Sequence, residues 1–94
     1  MTTTQRTLNE AVKNLLNTND TAQLTSPVVV SLQCHNGFDY DTNQHTYIMR
    51  DFTINEVART GKAGVVEFSD GINGIRISEL SDASCKALLN ALPS

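Results

Sequence analysis

Tryptophan is absent, and the 94 residues hold only five aromatic rings of Phe and Tyr: Phe38, Tyr40, Tyr47, Phe52 and Phe68. A core made from this chain must be largely aliphatic. Long apolar runs are also missing. The longest, Val28-Val29-Val30, is far too short to span a bilayer as a helix. There is no basic surplus: 7 Lys and Arg against 10 Asp and Glu leave a net charge of −3, which weakens the case for a dedicated nucleic-acid binder. The opening stretch MTTTQRTLNEAV has no basic start, apolar stretch or small-residue cleavage site. A cytoplasmic protein without membrane contact is the expectation. Cysteine is scarce and unpaired in pattern: Cys34 and Cys85 lie far apart with no C-x-x-C, so both are expected as reduced thiols.

What is present is periodic. Charged residues make up only 18% of the chain and apolar residues recur at regular spacing, which argues for a folded chain rather than a disordered one. The length suits one domain, residues 1–94, with a single modest core. Residues 1–6 read as a flexible tail. Thr7-Leu8-Asn9-Glu10 is a capping box. Leu8, Ala11, Val12, Leu15 and Leu16 then form the stripe of a helix lying on a core. Residues 17–20 end it, and residues 21–27 read as a polar connector.

From Val28 the period becomes two, with Val28, Val30, Leu32 and Cys34 on the buried face. A two-residue turn at Asn36-Gly37 would place Asp39 and Asp41 on that apolar face, which is costly. A three-residue loop, His35-Asn36-Gly37, instead turns Phe38 and Tyr40 inward and sends both aspartates outward beside Gln33 and Ser31. A second turn is expected over residues 42–44. The strand after it, residues 46–53, is apolar on both faces, with Tyr47 and Met49 on one and Ile48, Arg50 and Phe52 on the other.

Thr53-Ile54-Asn55-Glu56 reads as a second capping box opening a short helix that stops at Gly61. A hairpin turning at Asp70-Gly71 follows, pairing Val66 with Ile75 and Phe68 with Asn73. Ser81 then caps a last helix over residues 82–92, with Ala87, Leu88, Ala91 and Leu92 as its stripe. The predicted order is α-β-β-β-α-β-β-α, an α+β domain whose antiparallel sheet of about five strands carries helices mainly on one face.

No catalytic constellation or cofactor motif emerges. Asp39-x-Asp41-x-Asn43 begins like a calcium loop, but Gln44 stands where glycine is needed and Arg50 where the bidentate glutamate is needed. The expected register sets His35 and His45 at opposite ends of a strand, more than ~15 Å apart, too far to share a metal. Cys34 and His35 point to opposite faces, so they form no nucleophile–base pair. Thr60-Gly61-Lys62-Ala63-Gly64 lacks the spacing of a phosphate loop. Arg50, Arg59, Lys62 and Arg76 cluster in sequence near Tyr47 and Phe52, as a single-strand-binding sheet would require.

These readings point to a non-enzymatic module that binds proteins and self-associates as a homo-oligomer, with no cofactor and no metal. Asp39, Asp41, Tyr47, Met49, Arg50 and Arg76 are the candidate binding residues. Single-stranded nucleic-acid binding is the alternative reading. An inhibitor of a larger protein, with Asp39, Asp41 and Glu67 as its acidic face, is the third.

Overall fold

A computed structural model describes residues 1–60 and 64–93. The order is α1 (Thr3–Leu15), β1 (Thr21–Asp39), β2 (Gln44–Thr60), β3 (Val65–Ser69), β4 (Gly74–Arg76), a single 3-10 turn (Ile77–Glu79) and α2 (Asp82–Ala91). This is a small α+β domain. Among the described residues its antiparallel sheet has four strands in the order β1-β2-β3-β4, rather than about five, and residues 54–60, expected as a central helix, are strand.

The first helix starts earlier than Thr7. Thr2 is its N-cap, accepting from the Gln5 amide while the Gln5 side chain accepts from the Thr2 amide. Residues 3–6, read as part of a tail, are therefore the first turn. Thr7 lies inside the helix with its hydroxyl donating to the Thr3 carbonyl. Gln5 decides the matter through distant contacts. Its Nε2 donates to the carbonyls of Ile77, Ser78 and Leu80, tying the helix start to the 3-10 turn and the segment before α2.

The predicted helix after Thr53 is a continuation of β2. Ile54 and Val57 are both fully buried in one core although three residues apart, a spacing that an unbroken strand would send to opposite faces. The register jumps here: Gln23 pairs with Glu56 but Val28 pairs with Ile54, so residues 24–27 of β1 sit opposite Asn55 alone. Such a bulge re-aims the chain and reproduces a helix-like spacing. Residues 21–27 are thus strand rather than connector. Pro27 falls in the irregular stretch of an edge strand, where it takes no donor from a ladder.

The β3–β4 hairpin turns over residues 70–73, two positions longer than the Asp70-Gly71 reading, so Phe68 faces Ile75 and Glu67 faces Arg76. A shift of two keeps every side chain on its expected face. Asp70 makes the longer turn. Its Oδ1 accepts from the amides of Ile72 and Asn73 at 2.9 and 2.7 Å, and the Asn73 and Ile72 amides hold its carboxyl below the ordinary value.

The core is aliphatic with Phe68 as its one fully buried ring, set among Leu8, Val12, Leu16, Val30, Ile54, Val57, Ile75, Ile77 and Leu88. Ser81 caps α2 by accepting from the Ser84 amide. Cys85 takes an inward position on α2, while Ala87 is exposed.

Cys85 is fully buried, and burial, then the Asp82 charge, push its thiol above the ordinary value. A group with a raised folded value supports the fold below the unfolded value of about 9 and loses that support as pH rises. Cys85 should therefore resist a thiol reagent in the native protein and react in denaturant, while half-buried Cys34 reacts in both. Stability should decline above about pH 9 in the wild type and less so in Cys85→Ala, as read by urea denaturation at several pH values.

Candidate functional site: the tip of the β-arm

The molecule is elongated, 52 × 28 × 26 Å, with a radius of gyration of 14.7 Å, against about 12 Å for a compact chain of this length. The excess is the β1–β2 hairpin. β1 pairs with β2 down to Asp39↔Gln44, whereas β2 pairs with β3 only from Glu56 onward. Along residues 31–51 the two strands therefore form a ribbon with no third strand on either edge. An isolated two-stranded ribbon is marginal in water.

The hairpin loop is not His35-Asn36-Gly37. β1 runs on through those residues and turns over residues 40–43, ending on Asn43 in the left-handed region at φ 57°. Asn tolerates that conformation, and the Asp39 Oδ1 accepts from the amides of Asp41 and Thr42 to close the turn. Asn36 is instead a bulge, with His35 paired to Tyr47 and Gly37 to Thr46. Gly37 has φ 151°, a conformation that disfavours side chains. The apolar pattern misled because a ribbon beyond the body has no buried face to satisfy. Tyr40, expected inward, is 88% exposed.

This register reverses the expected separation of the histidines. His35 and His45 are brought together, Nε2 to Nδ1 at 3.0 Å. Phe38 packs edge-on against His45, with ring centroids at 5.0 Å, and against Tyr40, also at 5.0 Å; Tyr47 packs edge-on against His35 at 5.6 Å. Three of the chain's five Phe and Tyr rings and both histidines thus lie at one tip.

Of the candidate binding residues, Tyr47 and Met49 lie on this face, and Arg50 lies on the other, opposite Leu32. Asp39 and Asp41 belong to the turn, remote from Ser31, which donates to Asp51, and from Gln33, which pairs with Met49. Arg76 is in β4, and its Nε lies 3.8 Å from the Glu67 Oε1. Arg59 pairs with Val66 at the far end of β2, nine residues from Arg50 and so roughly 30 Å away along the strand. Arg50, Arg59 and Arg76 therefore make no single patch. Lys62, and the Gly61 stop with most of the Thr60–Gly64 stretch, lie outside the described residues. Glu67 is likewise apart from Asp39 and Asp41. The aromatic cluster itself went unforeseen in the sequence; its signal was the spacing of His35, Phe38, His45 and Tyr47 about one turn.

Large apolar side chains are exposed along the arm: Val29 61%, Tyr47 53%, Ile48 39% and Met49 64%. The strand carrying Tyr47 and Met49 is not sandwiched between helices. At its root Phe52 and Ile54 turn inward; toward the tip neither face is covered. Val29, Ser31 and Met49 form a shallow cleft with the capping residue Ser81 and with Ala83, Ser84 and Ala87 of α2. A second cleft, between α1, β3 and β4, is lined by Asn9, Lys13, Val65, Val66, Arg76 and Ile77 among others. Among the described residues no group of three or more His, Cys, Asp or Glu converges as a metal cluster, and no helix is long and apolar enough to cross a membrane. No protein-family model, curated protein sequence or solved structure matches this chain.

Proposed function

We propose that this protein is a non-enzymatic module of the cytoplasm that works through protein–protein contacts made by its β-arm, with a second copy of the chain as the partner. The observation that carries this reading is the ribbon of residues 31–51. It has two unpaired edges, with Tyr47, Ile48 and Met49 exposed on its faces. Unpaired edges that are neither short nor covered invite pairing with another strand. An arm about 30 Å long and about 10 Å wide laid along a second arm offers a strip of roughly 300 Å² per partner, the range of a weak, concentration-dependent pair. A two-fold axis makes such antiparallel pairing self-complementary. The thiols of Cys34 and Cys85 suit a reducing compartment.

Single-stranded nucleic acid is the competing partner, favoured by the ring cluster at the tip. The charge of the arm opposes it: Asp39, Asp41 and Asp51 stand against Arg50 alone. The inhibitor reading lacks the single acidic face it needs.

Sedimentation equilibrium should show a concentration-dependent dimer for the wild type and a monomer for the double variant Tyr47→Ser, Met49→Ser at the same concentration. Both residues are exposed, so circular dichroism should leave the fold unchanged. A wild-type monomer throughout the accessible range would remove the second copy as partner. Oligonucleotide binding at low salt that weakens as salt rises would favour the competing reading.

A further inference from the structure

We propose that His35 and His45 form a bidentate site for a divalent transition metal of the zinc, nickel or copper class. The site is complete within one chain, so it stands or falls separately from any contact made by the arm.

Geometry carries the argument. Imidazole nitrogens bind such metals at about 2.0–2.1 Å. Two nitrogens 3.0 Å apart can both reach that distance from one ion, subtending roughly 90°. That is the angle between neighbouring ligands in square-planar or octahedral coordination, and a separation opened to about 3.4 Å would suit a tetrahedral ion. The bulge at Asn36 builds this proximity. His35 pairs with Tyr47 and Phe38 with His45, so the two histidines lie on a diagonal of one four-residue square. At the square's other corners, Phe38 and Tyr47 stand edge-on against His45 and His35 and limit how the imidazoles turn. Both histidines are exposed, which leaves the remaining coordination positions to water.

In the metal-free arrangement one imidazole donates to the other. Metal binding replaces that shared hydrogen. His35 ligates through Nε2 with its proton on Nδ1, and His45 ligates through Nδ1 with its proton on Nε2. Starting from two neutral rings, this is a change of tautomer with no net loss of a proton. Soft-to-borderline nitrogen ligands favour copper over nickel and zinc, and give calcium and magnesium no purchase.

The test is titration of the labelled full chain with ZnCl2 or NiCl2, followed by imidazole ¹H–¹⁵N spectra. Both histidines should respond together and saturate at one ion per chain. His35→Asn and His45→Asn should each weaken binding roughly a hundredfold, because the second ligand of a chelate acts at high effective concentration. Cys34→Ser should bind as the wild type does. Three results would overturn the proposal: single variants that keep wild-type affinity at the remaining histidine, loss of binding in Cys34→Ser, or no saturable response to millimolar zinc. Circular dichroism of each variant separates lost ligation from lost fold.

Discussion

Phe68→Ala should cost about 3–5 kcal/mol, a large part of the roughly 5–15 kcal/mol that holds a domain of this size together. Phe68 is the largest fully buried side chain, with 0% exposure. It is positioned by both neighbours in the sheet, lying opposite Val57 of β2 and Ile75 of β4. Around it the fully buried side chains are otherwise aliphatic, and Phe52 only packs against the cluster from its margin, half-buried. Truncation loses both the transfer free energy of the ring and the contacts of the atoms that lined it. Urea denaturation should show a lower midpoint with an unchanged slope. Tyr40→Ala, at the exposed tip, is the matched control and should fall within about 0.5 kcal/mol of wild type. Equal effects of the two substitutions would mean that the core does not lie where the structure puts it.

Gln5→Leu should cost about 2–4 kcal/mol even though it places an apolar residue in a buried position. Gln5 Nε2 serves the carbonyls of Ile77 and Leu80 at 3.3 and 3.0 Å, and its Oε1 accepts from the Thr2 amide at 2.9 Å. Leucine leaves these groups without their partner and removes half of the capping box at the start of α1. Gln5→Glu keeps the shape and the cap acceptor but has no hydrogen to donate when ionised. Its carboxylate would face carbonyl oxygens, so its folded pKa should rise. A raised value means that the folded state favours the protonated form. The deficit of Gln5→Glu should therefore shrink as pH falls toward about 4 and be complete well above it. Thermal melts of the three proteins across that range check the sign. A Gln5→Leu variant as stable as wild type would show that the helix start is not anchored to the 3-10 turn.

Gln5 also shows what kind of information the sequence carries. As a residue of MTTTQRT it looks like tail, because its capping role competes with an equally good box at Thr7, the fifth residue of the helix. Only the carbonyls of Ile77, Ser78 and Leu80, more than seventy positions away, choose between the two. The same holds for Thr53-Ile54-Asn55-Glu56. Its capping pattern and the 54/57 spacing are genuine local signals for a helix, and the pairing of β2 with strands on both sides overrides them. The β3–β4 hairpin was readable except for its length, because a shift of two residues leaves the faces unchanged and only the Asp70 side chain lengthens the turn.

The arm was the least legible part, and it is where the candidate site lies. Register selection from apolar alternation assumes that one face is buried. That assumption holds at Val28 and Val30, next to the helices. It carries on through half-buried Leu32 and Cys34 and fails past His35, where a bulge and the turn geometry set the register instead. With the assumption gone, His35 and His45 move from opposite ends of a strand to hydrogen-bond distance.

By itself the sequence determined an α+β chain with an aliphatic core, a helix at each end and capped at Ser81 before α2, and the inward faces of β1 near Val30 and of β3 and β4. Each of these rests on periodicity or on a contact within a few residues. Only the tertiary structure decided where α1 begins, that residues 53–60 are strand, and that the β1–β2 ribbon runs unbroken to a tip of clustered rings. Those outcomes depend on pairing between residues far apart in the chain, whose free energy outweighs local preferences of about 1 kcal/mol or less per residue.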